Sequence, residues 1–238
     1  TLNKDLGGRL EVVTTANGQY TGKMVQGNVS TTLKGQLTWF PGLSKLTGTH
    51  TIPANTAAAL PQSTLNFEIE PGTNTFTAST TDGSTTVAMS EWANTWLVSA
   101  PSTRTGLYNF VIKPLTLAAS TGKPQGHSIG TFTIGNDGTL QVVGRLADNN
   151  VFTTTGTLSP NGEVAVYAAP YGNSTGTLHG LMTVVVAGAG NVDNRITGNL
   201  TWSKAAQPAT STTRSYKNGF ATMTLATDGS RYTPVGAA

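Results

Sequence analysis

Turn signals recur along this chain at the short spacing of an antiparallel β-protein. Asparagine or aspartate is followed by glycine at six places, residues 17–18, 82–83, 137–138, 161–162, 218–219 and 228–229. These pairs favour the tight turns that join antiparallel strands, because both residues tolerate a positive φ. Apolar and polar residues alternate between them, for example at residues 65–69, 75–78, 131–134, 140–143 and 163–167. Alternation with a period of two predicts strands with one buried face.

Helical patterns are weak by comparison. No window of helical length carries a sustained apolar stripe with the period of an α-helix. The best candidate, residues 54–59, is enclosed by Pro53 and Pro61. We therefore expect one or two short helical turns at most.

The two halves of the chain also resemble each other. Residues 22–37 align with residues 144–158 when one residue is skipped before the second glycine. Further along, Trp92 aligns with Trp202 and Phe110 with Phe220. An internal duplication of this kind predicts related units that bury a shared face against each other.

We predict an all-β fold, an antiparallel β-barrel or sandwich built from two internally duplicated halves. The first half covers residues 1–116 and includes a non-periodic insertion at 42–62, and the second half covers residues 117–238. The joint at 116–123 is short, and the first half is poor in large apolar side chains. We therefore expect the halves to form one continuous β-structure.

The composition indicates an extracellular protein. Charged residues make up only 11% of the chain, less than half of the usual share, and polarity comes from Thr, Ser, Asn, Gln and Gly. Cysteine is absent, which excludes disulfides, thiolate zinc sites and cysteine nucleophiles. The chain starts at Thr1 without a signal-peptide pattern, so we expect a mature or excised segment. We predict a secreted or cell-surface protein of bacterial origin.

Charge and hydropathy argue against two classes of partner. The net charge of +3 comes from lysines and arginines scattered singly, so the chain lacks the basic patch expected of a nucleic-acid-binding protein. The longest apolar stretch, residues 178–190, is too short to cross a bilayer as a helix. We expect no nucleic-acid partner and no membrane span.

Catalytic and metal patterns are missing from the sequence. His50, His127 and His179 stand in no nucleophile–base pattern, and there is no Gly-x-Ser-x-Gly elbow. No histidine spacing suits zinc. Asx loops at 136–137, 148–150 and 193–194 offer oxygen ligands for calcium, although none has EF-hand spacing and turn hydrogen bonds explain the same residues. We expect no enzyme activity and no cofactor, with calcium as the alternative.

Aromatic residues are the best candidates for ligand binding. Trp92 and Trp202 occupy equivalent positions in the two halves, and positions that recur in both halves favour a core role. Trp39 follows a Leu-Thr pair in the same way as Trp202, which also favours a core role for it. Trp96 and Phe40 have no counterpart, so we predict ligand binding at Trp96 and Phe40, with His50 of the insertion beside them.

The second half resembles a known type of bacterial module. The likeness is carried by the runs 130–140 and 144–148, the turn at 158–162, residues 167 and 171–172, the runs 176–180 and 198–202, residues 216, 219 and 220, and the run 229–234. In order and spacing they are similar to the uncharacterised glycine-rich β-repeat modules found near the C-terminal ends of long bacterial surface proteins. The resemblance implies an all-β fold and secretion, and it implies no particular activity or ligand. One departure is Asp148-Asn149, where such modules tend to have Asp-Gly.

Two functions follow from these observations. The first is a non-catalytic extracellular structural or adhesive β-module of a bacterial surface protein, whose partners are copies of itself or cell-surface components. The alternative is a carbohydrate-binding module that holds glycans through exposed aromatic side chains.

Overall fold

A computed structural model describes residues 7–73, 75–89, 92–115, 122–172, 175–188, 193–212 and 215–233. The chain is nearly all β, as predicted, and it divides into two compact units, Thr1–Ala93 and Asn94–Ala238. Helical structure in the described ranges is confined to 3₁₀ turns, among them Pro41–Leu43 and Thr56–Ala58. The second of these lies within the predicted helical candidate.

The first unit contains two antiparallel sheets. The three-stranded sheet consists of β1 (Arg9–Thr14), β2 (Gln19–Gln26) and β3 (Val29–Gln36), in that order. The five-stranded sheet continues in chain order through β4 (Thr38–Phe40), β5 (Lys45–Ile52), β6 (Ser63–Glu70), β7 (Thr75–Thr81) and β8 (Thr86–Met89). Leu37 alone separates β3 from β4, so the chain passes directly from one sheet into the other.

The two sheets of the first unit share one core. Tyr20 of β2 meets Phe67 of β6 edge-on, with ring centroids 5.0 Å apart. The Tyr20 hydroxyl donates to the carbonyl of Thr49 at 3.1 Å. The buried side chains of this core are Tyr20, Met24, Leu33, Leu37, Ile52, Leu65, Phe67 and Ala78.

The second unit is a single antiparallel sheet of eight strands. In chain order they are β9 (Gly106–Pro114), β10 (Ser128–Ile134), β11 (Thr139–Arg145), β12 (Val151–Thr157), β13 (Glu163–Ala168), β14 (Gly176–Val185), β15 (Arg195–Lys204) and β16 (Phe220–Tyr232). Strands that are consecutive in the chain are hydrogen-bonded neighbours, except for β12 and β13, and the first strand, β9, pairs with the last strand, β16. The strands therefore curl into a nearly closed barrel, whose outermost strands β12 and β13 lie side by side.

Side chains fill the interior of the barrel. Tyr108 stacks on Phe132 with ring centroids 4.8 Å apart, and Trp202 meets Phe220 edge-on at the same centroid distance. Alternate residues of all eight strands contribute to this core, as in β11, where Leu140 and Val142 point inward. An eight-stranded barrel is just narrow enough for side chains to fill it.

The units divide at a different place from the predicted halves. β9 precedes residue 116, yet it pairs with β10 and β16 of the second unit. Strand pairing, and not the joint at 116–123, therefore decides where the chain divides. Residues 116–121 of that joint lie outside the described residues, as do residues 189–190 of the apolar stretch. The aligned segments 22–37 and 144–158 each form a β-hairpin, β2–β3 and β11–β12, and the duplication itself stays a prediction.

Two segments form strands that the sequence pattern does not predict, and the physical reason is the same in both. Residues 45–52 of the predicted insertion form β5, and the turn predicted at 228–229 lies inside β16. In both cases glycine allows close packing. A Cβ on Gly48 would lie 2.2 Å from the ring of Phe67, and a Cβ on Gly229 would lie 2.2 Å from the carbonyl oxygen of Asn109. These glycines interrupt the apolar alternation without interrupting the strand.

Gly48→Ala should destabilise the first unit by about 1–3 kcal/mol, because the added methyl group forces the buried Phe67 ring to shift. Denaturant unfolding of the full chain measures the loss. Gly42→Ala is the matched control, since a Cβ there meets nothing within 4 Å and should change stability by less than about 0.5 kcal/mol. Equal stability of the two variants would contradict the packing described for Gly48.

Candidate functional site

Two adjacent aromatic residues are exposed on the first unit. Trp39 and Phe40 form the end of β4, with 48% and 46% of their surface accessible, and Leu43 in the following 3₁₀ turn is 66% accessible. We call Trp39, Phe40 and Leu43 the aromatic corner. Pro41 has no N–H to continue the ladder, so β4 stops after three residues at the edge of its sheet. The aromatic side chains therefore stand where the sheet ends.

The two rings belong to opposite faces of the sheet, because neighbouring residues of a strand point to opposite sides. Trp39 pairs with Leu46 on the next strand, Leu46 pairs with Ile69, and Ile69 pairs with Phe76. The last three are partly buried against the core of the first unit, so Trp39 extends an apolar row beyond that core. Phe40 pairs with Lys45 on the outer face.

An ion cluster lies beside Phe40 on the outer face. Lys45 Nζ is 3.0 Å from Glu68 Oε2 and 3.1 Å from Glu70 Oε1. The hydrogen bonds to these carboxylates raise the pKa of Lys45. The hydrogen bond from Lys45, followed by one from the Thr73 hydroxyl, lowers the pKa of Glu70. The outer face thus carries an aromatic ring next to one cation and two carboxylates.

The predicted ligand-binding residues do not form one site within the first unit. Lys45, which faces Phe40, and His50 are five residues apart on β5, a distance of ~17 Å along a strand. His50 pairs with the buried Leu65 on the core-facing side, whereas Phe40 lies on the outer side. Trp96, the third predicted residue, lies in the second unit.

Trp96 belongs to a segment that closes one end of the barrel. Its indole N–H donates to the carbonyl of Leu158 at 3.0 Å, and its ring packs over Gly138. Arg104, in the same segment, donates from Nε to the carbonyl of Val184 at 2.8 Å and from Nη2 to that of Asn161 at 3.2 Å. Trp96 is half-buried against the barrel core, so its contacts are structural.

A buried polar network lies at the opposite end of the barrel. Asp148 Oδ2 accepts hydrogen bonds from the Tyr171 hydroxyl at 2.7 Å and from Lys204 Nζ at 3.0 Å. Trp202 Nε1 donates to the Tyr171 hydroxyl at 2.9 Å, and Lys204 Nζ also donates to the carbonyl of Ser215 at 2.8 Å. The Lys204 and Asp148 side chains are completely inaccessible to solvent.

Three other polar residues of the second unit that the sequence singled out also have hydrogen-bond partners. His179 Nδ1 is 3.2 Å from the Thr177 hydroxyl, and burial lowers its pKa. Asp137, in one of the loops considered for calcium, accepts hydrogen bonds from the backbone and hydroxyl of Thr139. Asn194, in another, accepts from the backbone N–H of Ala187.

No group of three His, Cys, Asp or Glu side chains that could hold a metal ion occurs within the described ranges. In the same part of the chain, no helix has the length and apolar character to cross a membrane.

Comparison with known proteins adds no family assignment. No family model matches the chain, and no curated protein or solved structure is significantly similar to it.

Trp39 is the surface residue that the sequence reasoning missed. The Leu-Thr-Trp pattern that it shares with Trp202 predicts the same core role for both, yet Trp202 is buried and Trp39 is exposed. The difference comes from the strands, because Trp202 lies near the end of a ten-residue barrel strand and Trp39 lies on a three-residue edge strand. Pro41, two residues after Trp39, is the sequence signal that could have shown this.

Proposed function

We propose that the chain is a non-catalytic structural or adhesive β-module of a bacterial cell-surface or secreted protein, and that the aromatic corner is its contact surface. The observation that carries this proposal is the adjacent pair of exposed aromatic rings at Trp39 and Phe40. The second unit buries most of its aromatic side chains in a filled core, and the first unit buries Tyr20 and Phe67. Tyr232 is exposed to a similar degree as Trp39 and Phe40, but it has no aromatic neighbour in the chain, so the adjacent pair stands apart. Aromatic residues are enriched where protein surfaces meet.

Localisation outside the cell is part of the proposal. A chain with few charged residues, many Thr and Gly residues and no cysteine supports a bacterial surface or secreted protein. The β-rich fold is compatible with such a setting.

The expected partner is a second copy of the chain. Trp39 continues the apolar row of Leu46, Ile69 and Phe76, so a second copy could extend the core across the edge of the five-stranded sheet. Charged residues that commonly protect a sheet edge are missing from β4, which reads Thr38-Trp39-Phe40.

Static light scattering over a concentration series tests this function. Wild-type chain should show an average mass that rises toward the dimer with increasing concentration. The variant Trp39→Ala/Phe40→Ala should remain monomeric, because it loses both aromatic anchors. Val13→Ala is the control, since Val13 is an exposed apolar residue elsewhere on the first unit. Monomeric wild type at all concentrations would contradict self-association.

Glycan binding is the second candidate, and the outer face beside Phe40 favours it. Sugars stack on exposed aromatic faces, and carboxylates such as those of Glu68 and Glu70 accept hydrogen bonds from sugar hydroxyls. Wild-type chain should then bind members of an immobilised glycan set, and Phe40→Ala should lose this binding while Trp39→Ala keeps most of it. Binding that survives Phe40→Ala would exclude this surface as the glycan site.

A further inference from the structure

The buried side chains of Lys204 and Asp148 form an ion pair inside the barrel, and they also lie close enough to react with each other. Lys204 ends β15 and Asp148 lies in the turn between β11 and β12, so two groups 56 residues apart meet at 3.0 Å. Neither side chain is accessible to solvent. An amine in hydrogen-bond contact with a carboxylate oxygen lies within about 4 Å of the carboxylate carbon, close to the ~3–3.5 Å of a reactive approach.

We propose that Lys204 and Asp148 condense to an intramolecular amide that joins β15 covalently to the β11–β12 turn. Burying two opposite charges costs a large desolvation free energy, even when the charges are paired. A neutral amide in the same place avoids this cost. Reactants held in contact inside a fold act at effective concentrations on the order of 10⁵–10⁸ M, far beyond those of free groups. The chain has no cysteine, so a disulfide cannot serve as its covalent brace, whereas an amide between these two side chains can.

The reaction needs no external reagent. A proton first passes from the Lys204 ammonium to Asp148 Oδ2 along their hydrogen bond, which leaves a neutral amine and a neutral carboxylic acid. The Nζ lone pair then attacks Cγ of Asp148, and the new C–N bond replaces the C–Oδ2 bond. Of the three ammonium protons, one remains on the amide nitrogen and two leave with Oδ2 as water, so atoms and charges balance.

Tyr171 is placed to relay a proton to the leaving oxygen. Its hydroxyl donates to Oδ2 at 2.7 Å and receives a hydrogen bond from Trp202 Nε1 at 2.9 Å, which fixes its position. Burial, and then the hydrogen bond to Asp148, raise the pKa of Tyr171. The phenol is therefore protonated before and after the step and can pass its proton to Oδ2 while it recovers one from the nitrogen.

The surrounding groups also suit the product. An amide nitrogen keeps a single N–H, and the carbonyl of Ser215, now 2.8 Å from Lys204 Nζ, can accept it. The oxygen that remains, Asp148 Oδ1, already accepts a hydrogen bond from the backbone N–H of Asn150 at 3.2 Å. Both polar groups of the amide would thus have partners in the buried site.

Intact-mass spectrometry of the denatured full-length chain tests the proposal. The wild-type chain should be one water molecule, about 18 Da, lighter than its sequence mass. Trypsin should fail to cleave after Lys204 and should release a branched peptide that contains both Lys204 and Asp148. A wild-type chain that keeps its full sequence mass after prolonged incubation in the folded state would overturn the proposal.

Three variants locate the bond. Lys204→Arg keeps the positive charge but lacks the amine, so it should show the full sequence mass. Lys113→Arg alters the exposed pair with Asp228 and should keep the water loss. Tyr171→Phe should form the bond more slowly. A water loss that persists in Lys204→Arg would place the modification elsewhere and would also overturn the proposal.

Discussion

Lys204→Met is expected to lower the free energy of unfolding by about 3–5 kcal/mol, because it leaves the buried Asp148 carboxylate without its cation. The side chain of methionine fills much of the same space, so the loss reports on charge more than on volume. Urea unfolding of the full chain, followed by circular dichroism, measures the effect. Loss of a covalent link between the two residues would act in the same direction.

Two controls separate the buried charge from other causes. Lys113→Met removes one partner of an exposed ion pair, and such pairs contribute only about 0–1 kcal/mol. The double variant Asp148→Asn/Lys204→Met carries no buried charge and should recover part of the loss. If Lys204→Met unfolds at the same urea concentration as the wild-type chain, the network does not hold this end of the barrel together.

Trp202→Ala should cost about 3–5 kcal/mol, the range found when a large buried aromatic residue is truncated in a core. Trp202 is fully buried, packs edge-on against Phe220 and donates its indole N–H to the Tyr171 hydroxyl. The variant would therefore leave a cavity and remove one hydrogen bond from the buried network. Denaturant unfolding again gives the magnitude.

Trp39→Ala is the matched comparison for Trp202→Ala. Trp39 is about half exposed, so its loss should cost less than about 1 kcal/mol of stability. A stability loss as large as that of Trp202→Ala would show that Trp39 has a core role. A negligible loss in Trp202→Ala would contradict the filled barrel.

The sequence was sufficient for the fold class and for several of the strands. Alternation predicted the segments that became β6, β7, β10, β11 and β13, and five of the six Asx-Gly pairs lie in turns or bends between strands. In these strands the apolar residues of the alternation lie on the core-facing side, as with Phe132 and Ile134 of β10. Period-two patterning succeeds there because each strand has one face on a core.

The sequence could not show which strands pair over long distances. β9 joins β16 across more than 100 residues, and no local pattern in residues 106–114 distinguishes that pairing from one within the first half. The side chains of the buried network come from distant parts of the chain. Asp148 lies between β11 and β12, Tyr171 lies between β13 and β14, and Lys204 ends β15. Only the nearly closed barrel brings them together, so the sequence alone indicates no more for Asp148 than a turn residue or an oxygen ligand for calcium.

Exposure at the residues predicted to bind a ligand agrees with the sequence at one position and differs at others. Phe40 is exposed, as its place in the sequence indicated, whereas Trp96 packs against the barrel and His50 faces the core side of β5. Side-chain direction at these positions depends on the register between strands, which residue types alone do not determine.

Hydrogen–deuterium exchange at low and high protein concentration is the most direct test of the contact surface. The proposal predicts that amides of residues 38–47, in β4, the 3₁₀ turn and the start of β5, gain protection as the concentration rises. The barrel strands of the second unit should exchange at the same rate in both samples. Protection gained only in the second unit, or unchanged exchange throughout the chain, would contradict association through the aromatic corner.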